Sequence, residues 1–283
     1  MSFEPKNQEC FEINEQDFEA KLIEFKPKLT ILGGSSYPRL INFAHLARIA
    51  HNHGSLVLAD VAHINGLIAT GLHFSPFQSG ELANFGADFV TMTTHKTLRG
   101  PRGAMIFMKK EWEKTINKTI FPGTSGGPHF NKIAAIGQSC LEILGEDFYP
   151  DGVSFDDYSQ NVLETCKALE NSLAKNGLEI ISPTQNHLCL IKLPDNSDSL
   201  EIQQKLEKIG IICNRNVLPF DKKSAWRPSG LRLGTAALTS RGLTIEMAEK
   251  IGKIIADVIF EAETEENLKK EVENLVKSLN WWY

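Results

Sequence analysis

The sequence contains no stretch approaching ~20 consecutive apolar residues, the length that a membrane-spanning helix needs. It also has no N-terminal basic segment followed by an apolar core, the pattern of a secretory signal peptide. Its five cysteines are widely spaced and form no C-x-x-C pair that would indicate a zinc or redox site. These features together predict a cytoplasmic protein without membrane contacts.

An excess of positive charge is also lacking. The 283 residues include 30 Lys and Arg against 35 Asp and Glu, a net charge of -5. Nucleic acids and anionic membranes attract basic proteins, so this balance favours neither as a partner. His51 and His53 lie two residues apart near a predicted helix end and do not share a face, so no metal site is expected there. Small-molecule chemistry remains open.

Apolar runs that are typical of buried strands alternate with amphipathic stretches over the first half of the chain. The runs are LTILGG, SLVLADVAH, ADFVTMTTH and GAMIFM. Helices are predicted between them, for example over residues 41–53, where Gly54 is a stop signal. This alternation predicts an α/β fold with a sheet covered on both faces, in which ligands bind at the carboxyl ends of the strands.

The pattern changes after residue 145. An amphipathic helix is predicted up to Gly177, and another from Thr244 toward Phe260. A last amphipathic helix is expected over residues 263–283, with its terminal aromatic residues packed or exposed at an interface. The strand candidates of this half are LEIIS, HLCLIKL, GIIC and LRLGT. We therefore predict a large α/β domain over residues 1–145 and a smaller α+β domain over residues 146–283.

Polar residues follow three of the predicted strands at the point where each strand ends. They are Ser35, then Asp60 and His63, then Thr94, His95 and Lys96. If the strands are neighbours, a carboxylate, an imidazole and an amine converge there. Pyridoxal phosphate has a ring nitrogen, a phenolic oxygen and an aldehyde that match this set. The lysine would form a Schiff base with the aldehyde, and the aspartate would keep the pyridine nitrogen protonated.

The same residues also fit structural roles. An aspartate after a strand is often a helix N-cap, and His63 could be a hydrogen-bonded core histidine. Thr93 and Thr94 could bond their own backbone at the strand end. From spacing alone, both interpretations stay open.

Longer segments resemble serine hydroxymethyltransferase, a pyridoxal-phosphate enzyme of fold type I, the aspartate-aminotransferase-like architecture. These segments are LADVAHINGLIATGLH, VTMTTHKTLRGPRGAMIF, FPGTSGGP and SGLRLGT, in the family's order and spacing. The resemblance covers residues 20 to 260. It implies that residues 1–145 are the C-terminal part of a large cofactor-binding domain with a mixed sheet, and that residues 146–283 form the small domain. Val61 and Met92 depart from the family's usual residues without removing a chemical group.

The resemblance gives roles to the residues at the strand ends. Lys96 resembles the Schiff-base lysine, and Asp60 resembles the partner of the pyridine nitrogen. His63 and Ser35 resemble groups near the phenolic oxygen. Thr94 and His95 would line the site beside the lysine.

Residues farther along the chain also match the family's motifs. Arg232 resembles the arginine that binds the substrate α-carboxylate, and Asn216 resembles a residue near the folate. Gly126 and Gly127 resemble glycines whose backbone reaches the cofactor phosphate of the neighbouring subunit. No metal is implied.

The implied activity is the interconversion of serine and glycine, with one-carbon transfer to and from the co-substrate tetrahydrofolate and with pyridoxal 5'-phosphate as cofactor. A homodimer or homotetramer is implied as well. The family has a long N-terminal portion that this sequence does not show, so we expect activity to need that segment, which a separate chain could supply. Two alternatives stay open: another fold-type I pyridoxal enzyme, or a non-catalytic remnant or subunit of a split enzyme.

Overall fold

The computed structural model describes residues 11–77, 86–145 and 152–280, which form two compact units. The first unit contains Glu15–Ser35 and Leu40–Ser159. The second contains the residues up to Asn14, Ser36–Arg39 and the chain from Gln160 onward. Across the described residues, no helix combines the length and the apolar character needed to cross a membrane. The domain boundary expected at residue 145 adjoins residues 146–151, which lie outside the described part, and it remains a prediction.

A mixed four-stranded sheet forms the centre of the first unit. Its strands are β1 (Leu29–Gly33), β2 (Leu56–Asp60), β3 (Phe89–Thr93) and β4 (Ala104–Met108), adjacent in that order. β1, β2 and β3 run parallel, and β4 is antiparallel to β3. Each strand lies within one of the four apolar runs, so the α/β class and the mixed sheet are confirmed.

Helices precede, connect and follow these strands. They are α1 (Glu15–Phe25), α2 (Phe43–Asn52), α3 (Asn65–Ala69), α4 (Glu113–Lys118) and α5 (Phe130–Ile143). A 3-10 turn at Lys110–Trp112 precedes α4, and a kinked helical segment, Thr119–Thr124, follows it.

Helix α2 shows how the sequence specifies this unit. Its buried residues Phe43, Leu46, Ala47 and Ala50 have the i, i+3, i+4, i+7 spacing of one helix face. The Asn42 side chain caps the helix by accepting a hydrogen bond from the His45 N–H at 3.1 Å. The helix ends before Gly54, which has a φ of +76° that favours glycine.

The second unit is built on an antiparallel sheet. Its strands are β5 (Glu179–Ile180), β6 (Leu188–Lys192), β7 (Asn214–Asn216) and β8 (Gly230–Gly234), in the spatial order β5-β6-β8-β7. This unit contains most of helix α6 (Phe155–Lys175), from Gln160 onward. Its other helices are α7 (Ser199–Lys208), α8 (Ala236–Thr239), α9 (Ile245–Phe260) and α10 (Glu265–Lys277). Apolar residues of the sheet and of α6, α7, α9 and α10 share one core.

Most of the elements predicted for this half are confirmed, but one strand prediction is wrong. The segment GIIC is not a strand, because the Ile211 N–H still bonds the Leu206 carbonyl of the preceding helix at 2.9 Å. The strand begins only at Asn214. The predicted C-terminal helix is confirmed as α10, whereas the terminal aromatic residues 281–283 lie outside the described residues.

Candidate active site

The carboxyl ends of three parallel strands lie side by side in the first unit. In the strand register, Gly33 of β1 pairs with Asp60 of β2, and Asp60 pairs with Thr91 of β3. Ser35 follows β1 by two residues, and the Lys96 loop follows β3 directly. The strands are therefore neighbours, as the sequence-based hypothesis required.

Asp60 has one carboxylate oxygen fixed by the protein and one available. Its Oδ1 accepts a hydrogen bond from the Ala62 N–H at 3.0 Å. Within the described part of the chain, its other carboxylate oxygen has no hydrogen-bond partner, and the residue is exposed. Gly33 permits the close approach of β1, because a Cβ there would lie 2.3 Å from the Asp60 carbonyl oxygen. The free oxygen can accept a hydrogen bond from a ligand.

Lys96 lies on a tight loop after β3 and is partly buried. The Arg99 N–H donates to the Lys96 carbonyl at 3.0 Å, and the Gly100 N–H donates to the Thr94 carbonyl at 2.8 Å. Arg99 has a φ of +62°, and its guanidinium lies 5.0 Å from the centre of the Tyr158 ring. These contacts hold the downstream side of the loop.

The two residues before the lysine have different environments. Thr94 is fully buried, and its hydroxyl donates to the Pro101 carbonyl at 2.5 Å, so this side chain braces the loop. His95 has a buried Nδ1 for which the described residues provide no hydrogen-bond partner. Buried polar atoms are nearly always paired, so this Nδ1 can take a hydrogen bond from water or from a ligand. The predicted places of both residues beside the cofactor remain predictions.

Sequence reasoning missed Asn65, which contacts the Lys96 loop, and Thr97, which belongs to that loop. The Asn65 Nδ2 donates to the Thr93 carbonyl at 2.7 Å. The Thr97 hydroxyl lies 3.1 Å from the Asn65 Oδ1 and 2.9 Å from the His63 carbonyl oxygen, to which it donates. The only signal in the sequence was a polar residue opening an otherwise apolar helical stretch, which is too common to be informative.

Gly126 and Gly127 are exposed and follow the kinked helical segment Thr119–Thr124. In the described part of the chain, no atom lies within 4 Å of the position that a Cβ would take at either residue. The chain itself therefore supplies no steric reason for glycine at these two positions.

Arg232 and Asn216 belong to the second unit. Arg232 lies on β8 opposite Asn214 of β7, and its Nη2 donates to the Asn214 Oδ1 at 2.9 Å. Burial lowers the pKa of the Arg232 guanidinium from its ordinary value. Asn216 pairs with Gly230, and its Nδ2 donates to the Val217 carbonyl at 2.7 Å. The sequence did not predict the hydrogen bond between Arg232 and Asn214.

The residues at the sheet edge fit pyridoxal phosphate. The available oxygen of Asp60 can accept the N–H of a pyridinium ring, and the unpaired Nδ1 of His95 can bond a further polar group. Lys96 supplies the primary amine that an aldehyde requires.

Comparison with known proteins identifies the family of the chain. The family profile of serine hydroxymethyltransferase matches residues 3–255. The chain is also 38% identical, over 276 residues, to a protein named serine hydroxymethyltransferase from Mycoplasma capricolum subsp. capricolum. The aligned region covers 95% of this chain and 62% of that relative, so the chain spans less than two thirds of the relative's length. The chain belongs to the serine hydroxymethyltransferase family.

Proposed function

We propose that this chain binds pyridoxal 5'-phosphate at the edge of the first sheet and takes part in the interconversion of serine and glycine, with tetrahydrofolate as one-carbon carrier. The observation that carries the proposal is the placement of Asp60 and Lys96 after neighbouring parallel strands, with one Asp60 oxygen available. Family membership supports the choice of substrates.

Each residue at the sheet edge has a proposed task. Lys96 holds the cofactor through its amine, and Asp60 keeps a proton on the ring nitrogen by accepting its hydrogen bond. His63 and Ser35 contact the phenolic oxygen, while Thr94 and His95 shape the pocket beside the lysine. When bound, pyridoxal phosphate supplies the electron sink for cleavage of a bond at the substrate Cα.

Substrate recognition is assigned to the second unit. Arg232 binds the amino-acid carboxylate, because a planar guanidinium can form two parallel hydrogen bonds with it and so fix the Cα orientation. Asn216 contacts the folate. Gly126 and Gly127 approach the cofactor phosphate of a neighbouring subunit in a homodimer or homotetramer. The open space where a Cβ would stand at both positions is compatible with that approach.

Chemical trapping tests the cofactor site. The chain is incubated with pyridoxal phosphate, reduced with borohydride and digested, and the labelled lysine is identified by mass spectrometry. We expect the label on Lys96 and its loss in Lys96→Ala. The control Lys110→Ala removes an exposed lysine from the same unit and should leave the labelling unchanged. Label found mainly on another lysine would refute the assignment.

Turnover is measured separately, with serine, tetrahydrofolate and excess cofactor. The expectation that a further N-terminal segment contributes to the site remains a prediction. It is tested by assaying the chain with and without a polypeptide that corresponds to the N-terminal region of the relative. Equal turnover in both assays would contradict that expectation and leave the cofactor assignment intact.

A further inference from the structure

One buried side chain, Asn65, binds both flanks of the lysine loop. Its Nδ2 donates to the carbonyl of Thr93, three residues before Lys96, at 2.7 Å. Its Oδ1 lies 3.1 Å from the hydroxyl of Thr97, the residue directly after Lys96. Asn65 is 3% exposed and Thr97 is 2% exposed, so water cannot readily replace these bonds.

The Thr97 hydroxyl is itself fully engaged. It is shared between the His63 carbonyl at 2.9 Å and the Asn65 Oδ1, and it accepts a hydrogen bond from the Gly66 N–H at 3.1 Å. Asn65 must donate on one side and accept on the other, which an amide can do and a carboxylate cannot. Moving the loop would leave several buried polar groups unpaired, and each such group is costly.

The backbone at Gly66 packs closely against one side of the loop. A Cβ built on Gly66 would lie 2.2 Å from the Thr97 carbonyl oxygen. The turn that begins α3 therefore lies in direct contact with the backbone that carries Lys96.

From this geometry we propose that Asn65 is a positioning residue for Lys96, an inference that rests on the proposed function. A lysine side chain is long and flexible, so the location of its backbone decides where its amine can reach. Asn65 fixes that backbone through Thr93 and Thr97. A displacement of ~1 Å can cost about 100-fold in the rate of a step that depends on orientation.

The test compares four variants with the parent chain: Asn65→Ala, Asn65→Asp, Thr97→Val and Thr97→Ser. Two readouts are used, the rate at which Lys96 is labelled by pyridoxal phosphate and borohydride, and the hydrogen exchange of residues 93–98 without cofactor. For Asn65→Ala and Thr97→Val we expect about tenfold slower labelling and faster exchange, since each loses buried hydrogen bonds. Thr97→Ser keeps the hydroxyl and should stay within about twofold of the parent on the same grounds.

Asn65→Asp should fall between these results, because it can accept from Thr97 but cannot donate to Thr93. The control is Ser55→Ala, which removes a buried hydroxyl bonded to Thr30 at 2.7 Å near the opposite end of the same strands. It should lower thermal stability without slowing the labelling of Lys96.

Two outcomes would overturn the inference. If the parent is labelled at Lys96 and both Asn65→Ala and Thr97→Val are labelled equally fast, Asn65 is merely structural and the proposed function stands. If Asn65→Ala does not fold, the inference is decided by comparing Thr97→Val, which loses the hydroxyl, with Thr97→Ser, which keeps it. If the parent chain is not labelled at Lys96 at all, the proposed function fails, and the inference fails with it.

Discussion

Replacing Asp88 with asparagine should lower the free energy of unfolding of the first unit. Asp88 is 3% exposed and precedes β3. Its carboxylate accepts hydrogen bonds from the Val57 N–H at 2.8 Å, the His51 Nε2 at 2.9 Å and the Lys109 Nζ at 2.6 Å. One side chain thus connects α2 and β2 with the residue after β4.

The magnitude follows from what each donor would lose. Asparagine keeps one acceptor oxygen without the charge, so the buried Val57 N–H exchanges a bond of about 1.5–3 kcal/mol for a neutral one of about 0.5–1.5 kcal/mol. The side chains of Lys109 and His51 are 30% and 23% exposed, so water can partly replace their partner. Their combined loss is therefore about 1 kcal/mol or less. We expect Asp88→Asn to cost about 1–2.5 kcal/mol in total.

The same network makes a prediction for pH. Burial alone would raise the pKa of Asp88, but the hydrogen bonds from Lys109, His51 and Val57 outweigh it and lower the pKa. A carboxyl group with a lowered folded-state pKa contributes stability that is present above its unfolded pKa and is lost as the pH falls through its folded pKa. Asp88→Asn should therefore lose this part of the acid dependence.

Urea denaturation at pH 7 and the hydrogen exchange of peptides that contain Val57 measure the effect. The control is Glu19→Gln, which also removes a carboxylate bonded to a histidine, His53, at 2.9 Å, but at the surface. The control should change the free energy of unfolding by less than about 0.5 kcal/mol. A change equally small in Asp88→Asn, with unaltered exchange at Val57, would refute the reasoning.

Three further predictions concern single residues. Burial lowers the pKa of His73 despite its hydrogen bond to a neighbouring carbonyl, so the unfolded state binds more protons than the folded state. The free energy of unfolding should therefore fall as the pH drops below about 6.5. His73→Gln should weaken this pH dependence in thermal melts. Asn214→Ala removes one hydrogen bond that orients the guanidinium of Arg232 and should weaken serine binding to the cofactor-loaded chain about tenfold, measured by calorimetry, with cofactor affinity unchanged. Gly66→Ala places a Cβ 2.2 Å from the Thr97 carbonyl oxygen and should cost about 1–3 kcal/mol in urea denaturation; an unchanged midpoint would contradict the observed packing.

The first sheet was predictable because its strands are short apolar runs, although only β2 and β3 alternate with buried residues, whereas most of β1 and β4 is exposed or half-buried in the described chain. In β2, the fully buried Val57 and Ala59 alternate with less buried neighbours, and Asp60 ends the run. Since the carboxyl ends of parallel strands meet at one edge, the placement of Asp60 and Lys96 followed from the strand order. The apolar runs, together with the rule on the carboxyl ends of parallel strands, were sufficient to predict where Asp60 and Lys96 lie.

The contacts that support this site were not predictable in the same way. Asn65 and Thr97 are 32 positions apart, and their hydrogen bond depends on how α3 packs against the loop. The pairing of Asn214 with Arg232 depends on the register of β7, a strand of only three residues that the hydropathy pattern placed too early. Such short polar strands carry no periodicity, so their register is set by the turns and by the packing around them.

Gly33 differs from Gly126 and Gly127 in a way that the sequence alone does not show. Gly33 is required by the protein itself, because its φ is +152° and a Cβ would collide with the Asp60 carbonyl. Gly126 and Gly127 meet no such atom in the described chain. The described residues therefore do not explain why glycine stands at these two positions. A phosphate bound by backbone N–H groups needs an open approach, and the space at Gly126 and Gly127 is compatible with that proposed role; the same space occurs at Gly137 in α5, for which no ligand is proposed.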